Sequence, residues 1–178
     1  MLYKVVRYLN APILERPVKA VTEFDTPELH SLIADMFETM HDAHGVGLAA
    51  NQIDVDQSVT VIDVSHAEAD EDEEVEPNPI VLINPRIIAK SGKQTGEEGC
   101  LSIPGFREPV TRAKRVTVQA QNIKGETFEI HGEDLLARAM QHEIDHLNGI
   151  LFINHLSSLK REVIKRKIRR LIQAGEWD

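Results

Sequence analysis

The sequence predicts an α+β fold, with antiparallel strands flanked by helices. Three observations carry that expectation. Apolar residues recur at helical spacing in three stretches, near 27–44, 133–148 and 157–173. Short β-branched runs fill the chain between the first two stretches. Those runs follow one another without intervening helices, so the regular βαβ rhythm of a doubly wound parallel sheet is missing.

The first helix is expected from about Pro27 to His44. Thr26 can cap it, and Pro27 suits a first turn, where a missing N–H costs nothing. Leu29, Leu32, Ile33, Met36, Phe37 and Met40 then line one face, and His44-Gly45 ends the helix. Val59 to Val64 and Ile80 to Ile83 read as strands, the second running up to Asn84-Pro85. Arg115 to Ala120 and Thr127 to Ile130 alternate as a hairpin whose turn is Asn122 to Gly125. A second helix fits Glu133 to Asn148, closed by Gly149. Leu135, Leu136, Ala139, Met140, Ile144 and Leu147 give it a wide apolar surface, so it should be largely buried. A third helix runs from about Ser157 to Gln173.

At 178 residues the chain fits one domain, expected to span 1–178. Its 42% apolar and 28% charged residues are ordinary for a globular protein, and with only 4% aromatics the core should be aliphatic. No stretch approaches the roughly 20 apolar residues that a membrane helix needs. The segment Met1 to Arg7 lacks the apolar run of a signal peptide, so the cytoplasm is the expected place of work. One cysteine, Cys100, fits a reducing compartment and leaves three readings: core thiol, nucleophile or metal ligand. A net charge of −9 argues against nucleic-acid binding by the whole surface. The charge is uneven, however: residues 67–76 are strongly acidic and 160–170 strongly basic.

His142-Glu-Ile-Asp-His146 is the sharpest chemical feature. Residues four apart share a helix face, so both imidazoles can reach one ion. Glu143 then stands beside an ion-activated water without being a ligand, the arrangement of metal-assisted hydrolysis. The competing reading is two core histidines bonded to backbone. A third ligand is needed, since catalytic sites of this kind take three from the protein and keep one position open. The extended protease motif that would supply another histidine has Phe152 in that place. Glu162 on the third helix is one candidate, although its basic neighbours favour a surface ion pair. Cys100 is the other, in the turn Glu97-Glu-Gly-Cys-Leu-Ser-Ile-Pro104, with a thiolate suited to zinc or ferrous iron. A further segment, Gly45-Val-Gly-Leu-Ala-Ala-Asn-Gln52, is too short of glycine for a dinucleotide fingerprint. Its glycines can simply turn the chain, or expose backbone that pairs with an extended peptide. In the second case Gln52 can donate to a developing oxyanion.

Taken together and in this order, Gly45 to Gln52, Glu98 to Ser102 and His142 to His146 resemble the three motifs of the peptide deformylases. Those enzymes remove the formyl group from the N-terminal methionine of new bacterial and organellar proteins. Asn84-Pro85, Ile103-Pro104 and Leu147 to Phe152 extend the resemblance over nearly the whole chain. The resemblance implies Cys100, His142 and His146 as ligands, Glu143 as general acid/base, and Gln52 with the N–H of Leu101 as oxyanion donors. It implies that the backbone of Gly45 and Gly47 holds the substrate peptide. Val46, Glu98, Arg107 and Leu135 would lie near the methionine or the residues after it. Fe²⁺ is the implied ion, with zinc, nickel or cobalt able to replace it. The implied fold is a central metal-bearing helix surrounded by antiparallel sheets.

Asp145 and Arg112 are expected either to pair behind the ligands or to form a plain exposed pair. Arg138 and Ala139 stand where relatives commonly carry apolar residues, so Arg138 should narrow the pocket, shift preference beyond methionine, or point into solvent. The acidic loop Glu68 to Glu76 is longer than a minimal relative needs. The basic helix, residues 157–173, presents either a solvated face or a contact for ribosomal RNA, as in bacterial members with a helical C-terminus. Two other functions fit parts of the pattern: a zincin-like metallopeptidase using Glu162, and a ribosome-associated binding protein with a structural metal.

Overall fold

A computed structural model describes residues 1–67 and 69–178. The first helix, α1 (Pro27–Asp42), starts as expected, with the Thr26 side chain accepting from the Leu29 N–H at 3.1 Å. It stops two residues early, because His44 turns left-handed (φ 56°) and the Gly45 N–H returns to the Met40 carbonyl at 2.9 Å.

Strands β1 (Gly47–Ala49), β2 (Val59–Ile62), β3 (Ile80–Ser91), β6 (Arg115–Gln121) and β7 (Thr127–Glu133) form one antiparallel sheet. Its order is β1-β2-β3-β6-β7. Strands β4 (Gln94–Cys100) and β5 (Ile103–Arg112) form a second, two-stranded sheet. The five-stranded sheet lies between α1 on one face and α2 (Asp134–Leu147) on the other. Leu29, Ile33 and Met36 pack with Val59, Val61 and Ile83, while Met140 and Ile144 pack with Ile62, Leu82 and Val118. Cover on both faces explains why β2 is buried at every position and reads as a continuous apolar run.

Two strands differ from the expectation. β3 does not end at Asn84-Pro85 but bulges there, the ladder passing from Ile83–Gln121 to Arg86–Gln119. Asn84 is left-handed (φ 49°), and its side-chain amide replaces the interrupted ladder. It donates to the Val21 carbonyl and to Gln121, and accepts from the Val21 N–H. β4 and β5, read only as a turn leading into an extended segment, are a full hairpin whose tip is Cys100 to Ile103.

The third helix, α3 (Ser158–Gln173), is capped by the Ser157 hydroxyl. It buries Ile164 and Ile168 in a separate cluster with Leu14, Ile103, Phe152 and Trp177. Gly149, which ends α2, is left-handed (φ 77°), and a Cβ there would stand 2.6 Å from the backbone of Arg16. Gly149→Ala should therefore lower the urea midpoint. The backbone conformation alone costs about 1–2 kcal/mol, and the clash adds to it.

Candidate metal centre

α2 carries two imidazoles into the interior one helical turn apart. The Nε2 atoms of His142 and His146 lie 3.1 Å from each other, and Cys100 Sγ lies 3.3 Å from His146 Nε2. The three donor atoms all fall within 4.8 Å of one another. Cys100 reaches them because the β4–β5 ladder shifts register between Glu98 and Cys100, swinging the hairpin tip over α2.

The donor set fits a divalent ion. His142 points Nε2 inward because its other nitrogen, Nδ1, is bound to Glu98 Oε1 at 2.9 Å. Donor atoms crowded this closely in a buried site need a proton or a cation between them. Burial opposes a charge on His142, but hydrogen bonds with Cys100 and Glu98 outweigh it and lift its pKa to about 10. Burial and the neighbouring His142 push His146 well below its ordinary value. The cluster therefore favours a positive charge, which a divalent ion would supply. Three donors of mixed sulfur and nitrogen would leave a bound ion one position open, as catalytic sites do.

Glu143 is buried beside the cluster, with Oε1 3.8 Å from His142 Nε2 and, among the described residues, no hydrogen-bond partner for Oε2. Burial raises its pKa to about 7, against the opposing pull of His142. A carboxyl tuned in this way can both accept and return a proton near neutrality. The backbone of β1 passes directly over it. A Cβ on Gly47 would meet Glu143 Cγ at 2.9 Å, so only glycine leaves the carboxylate in place. Gly47→Ala should cut turnover on the order of a hundredfold by displacing that carboxylate, with the melting temperature little changed.

A cavity of about 640 Å³ opens above these groups. It is lined by Gly45, Val46, Gly47 and Gln52 from the β1 segment, by Glu98, Leu101, Phe106 and Arg107 from the β4–β5 hairpin, and by Leu135, Arg138, Ala139 and His142 from α2. All the residues proposed from sequence to touch substrate line this cavity, and so does Cys100. His146 lies behind it, fully buried. The cavity lies between β1 and β4, each of which pairs on one side only among the described residues. Gln52 is buried, its Oε1 accepting from the Ala49 N–H at 3.0 Å and its Nε2 directed at Cys100 Sγ (3.5 Å) and Ser102 Oγ (3.3 Å). Arg107 sits at the rim, exposed and 3.6 Å from Glu97.

Glu98 is positioned differently from a group free to meet a side chain. Both its oxygens are occupied, by the fork of Arg112 (2.9 Å twice), by Arg138 and by His142. Burial would raise its pKa, but Arg112 and His142 overcome this and hold it well below the usual carboxylate range. Its effect on the site runs through the His142 ring. Arg138 lines the cavity and does not enter solvent: it is buried, bonded to Glu98 and to the Val110 carbonyl at 3.0 Å. Arg112 and Asp145 do pair behind the ligands, at 2.6 Å, with Arg112 buried. His155, which no local pattern marks, adds a 2.8 Å contact to Asp145. Gln141, equally unmarked, clamps α2 to the β5–β6 turn through both the N–H and the carbonyl of Ala113. Glu162 is exposed and lies 3.7 Å from Lys165, outside the donor cluster. In the acidic loop, Glu68 lies outside the described residues. Ala67 borders the cavity, and residues 69–76 form neither helix nor strand.

Comparison with known proteins agrees with this geometry. The sequence profile of the family described as polypeptide deformylase matches residues 3–162. A peptide deformylase of Acidobacterium capsulatum is 52% identical over 177 residues, covering 99% of each chain. One from Neisseria meningitidis is 47% identical over 155 residues, 87% of this chain and 86% of its own. The crystal structure of a peptide deformylase from Legionella pneumophila superposes with a TM-score of 0.85 at 43% identity, covering 100% of this chain and 99% of the other.

Proposed function

The chain belongs to the peptide deformylase family, and from that premise we propose how its own residues remove the formyl group from the N-terminal methionine of new polypeptides. The observation that carries the reading is the convergence of Cys100, His142 and His146 beside a buried carboxyl, at the floor of a cleft between two one-sided strands. Cys100, His142 and His146 hold the ion. Fe²⁺ is the proposed ion, since a thiolate with two imidazoles suits it, and zinc, nickel or cobalt suit the same donors. When bound, the ion polarises the formyl oxygen and lets water ionise near neutral pH.

The substrate enters as an extended strand against the backbone of Gly45 and Gly47. Val46, Leu135 and Ala139 surround the methionine, and Arg107 stands at the rim for the residues after it. Glu143 takes a proton from water as the water oxygen bonds to the formyl carbon. The Gln52 amide and the Leu101 N–H donate to the oxygen that becomes negative. Glu143 then gives its proton to the amine nitrogen as the C–N bond breaks, leaving formate and a free α-amine. On this reading residues 1–178 act as one catalytic domain. Its proposed location is the cytoplasm, where new chains emerge; among the described residues no helix is long and apolar enough to cross a membrane.

The test measures formate released from a formyl-methionyl peptide, with anaerobic metal analysis of the same preparation. Metal-loaded protein that releases no formate would end the proposal, as would full metal retention by Cys100→Ala.

We also propose that α3 meets ribosomal RNA. Lys160, Arg166, Lys167, Arg169 and Arg170 are exposed along it, while Ile164 and Ile168 anchor its other side. Truncating the helix would strip those anchors, so charge removal is the cleaner test. Arg166→Gln, Lys167→Gln and Arg170→Gln together should weaken ribosome co-sedimentation at low salt, where phosphate contacts count most. Unchanged co-sedimentation would reduce α3 to a solvated face.

A further inference from the structure

The two oxyanion donors come from parts of the chain that no shared strand connects. Gln52 lies in a 3-10 turn after β1, and Leu101 at the tip of the β4–β5 hairpin, in the other sheet. Among the described residues no backbone hydrogen bond joins the two segments to each other. Gln52 Nε2 reaches Ser102 Oγ (3.3 Å) and Cys100 Sγ (3.5 Å), but an amide that must turn to the substrate cannot also be the main tie, and a misplacement of about 1 Å costs roughly a hundredfold in rate.

We propose that Arg7 is a positioning residue for deformylation: with the backbone of Val6 and Tyr8 it forms a brace that ties the Leu101 turn to the Gln52 turn. The Val6 N–H donates to the Gln52 carbonyl at 2.8 Å. Two residues on, the Tyr8 N–H donates to the Ser102 carbonyl at 3.0 Å. Between them, Arg7 Nη1 donates to the Leu101 carbonyl at 2.9 Å and to its own chain at the Val5 carbonyl, 3.3 Å away. The carbonyls of Leu101 and Ser102 are therefore both held, and the turn cannot swing the Leu101 N–H away without breaking a bond to residues 5–8. The brace is itself pinned behind, where Trp177 Nε1 donates to the Tyr8 carbonyl at 2.7 Å.

Arg7 has no carboxylate partner among the described residues, although it is half-buried. A guanidinium without an ion pair that spends its donors on backbone carbonyls serves geometry, not charge balance. Both bonds come from one nitrogen, Nη1, which the rigid guanidinium plane aims; a lysine ammonium can reach the same point but is not held there.

The inference rests on the proposed roles of Gln52 and Leu101, and the experiment separates the two. Arg7→Ala, Arg7→Lys, Gln52→Ala and the double variant Arg7→Ala/Gln52→Ala are loaded with metal and assayed on a formyl-methionyl peptide. Metal content and melting temperature are read from the same samples. Arg7→Ala should lower kcat by about tenfold, with KM and metal content unchanged, and Arg7→Lys should recover part of the loss. The double variant should lose less than the product of the two single losses, because part of what Arg7 does is to hold the Leu101 turn in register with Gln52. A full multiplicative loss in the double variant, a loss carried by KM or by metal content, or wild-type turnover in Arg7→Ala would overturn the brace. If Gln52→Ala itself turns over normally, the oxyanion assignment falls first and the brace falls with it.

Discussion

Replacing Glu143 with glutamine should lower formate release by about a thousandfold or more, while the ion stays bound and the fold stays intact. General acid–base groups contribute about 10²–10⁴-fold, and Glu143 is asked to act twice in one turnover, so the upper part of that range applies. Glutamine keeps the shape and cannot take the proton. Burial disfavours the charged carboxylate at this position, so the fold gains little stability from it. Glu143→Gln should therefore melt no lower than the parent protein. Metal content, melting temperature and single-turnover formate release on the same sample check all three statements. Turnover within tenfold of the parent would move proton transfer to another group.

The helix that carries the two histidines was legible in the sequence because its signals are local. His142 and His146 mark one face, and Leu136, Met140 and Ile144 mark the apolar surface that buries it. Cys100 became legible only through the order of three motifs, since nothing near it says that the β4–β5 tip folds over α2. That hairpin is itself hard to read. Residues 94–112 carry Gly96, Gly99, Gly105, Pro104 and Pro109 among charged side chains, and the alternation that marks a half-buried strand is lost. Asn84-Pro85 fails for another reason: the break in the ladder is real, but Asn84 repairs it with side-chain bonds. Arg138 stands one turn before His142 and reads locally as a helix-surface cation. Its partner, Glu98, lies 40 residues away on β4, beyond the reach of periodicity.

The support behind the ligands also had only a partial signature, and it carries the second large effect. Arg112→Met should destabilise the protein by about 3–5 kcal/mol, the cost of leaving buried carboxylates without their cation. Arg112 holds Glu98 through two bonds of 2.9 Å and Asp145 through one of 2.6 Å, with only 4% of its side chain exposed. Methionine fills the volume but neutralises nothing. Arg138 and His142 would remain on Glu98, and His155 on Asp145, so the loss should sit at the lower end of that range. The loss should depend on pH in a defined direction. The pKa values of Glu98 and Asp145 are both held low against the opposing effect of burial, chiefly by Arg112 with His142 for the first, and by His155 with Arg112 for the second. Their contribution to stability is therefore full above the unfolded values of 4.5 and 3.8, and drains away as pH falls below them. Urea unfolding of the chelator-treated parent and of Arg112→Met should show the widest gap at neutral pH and a narrowing gap below that range. The metal should respond as well. With Glu98 less firmly held, the Nδ1 bond that aims His142 inward loosens, and the ion should dissociate about 10–100-fold faster. A gap that stays constant with pH would mean that Arg112 acts by packing its stem, and not by holding the two carboxylates ionised.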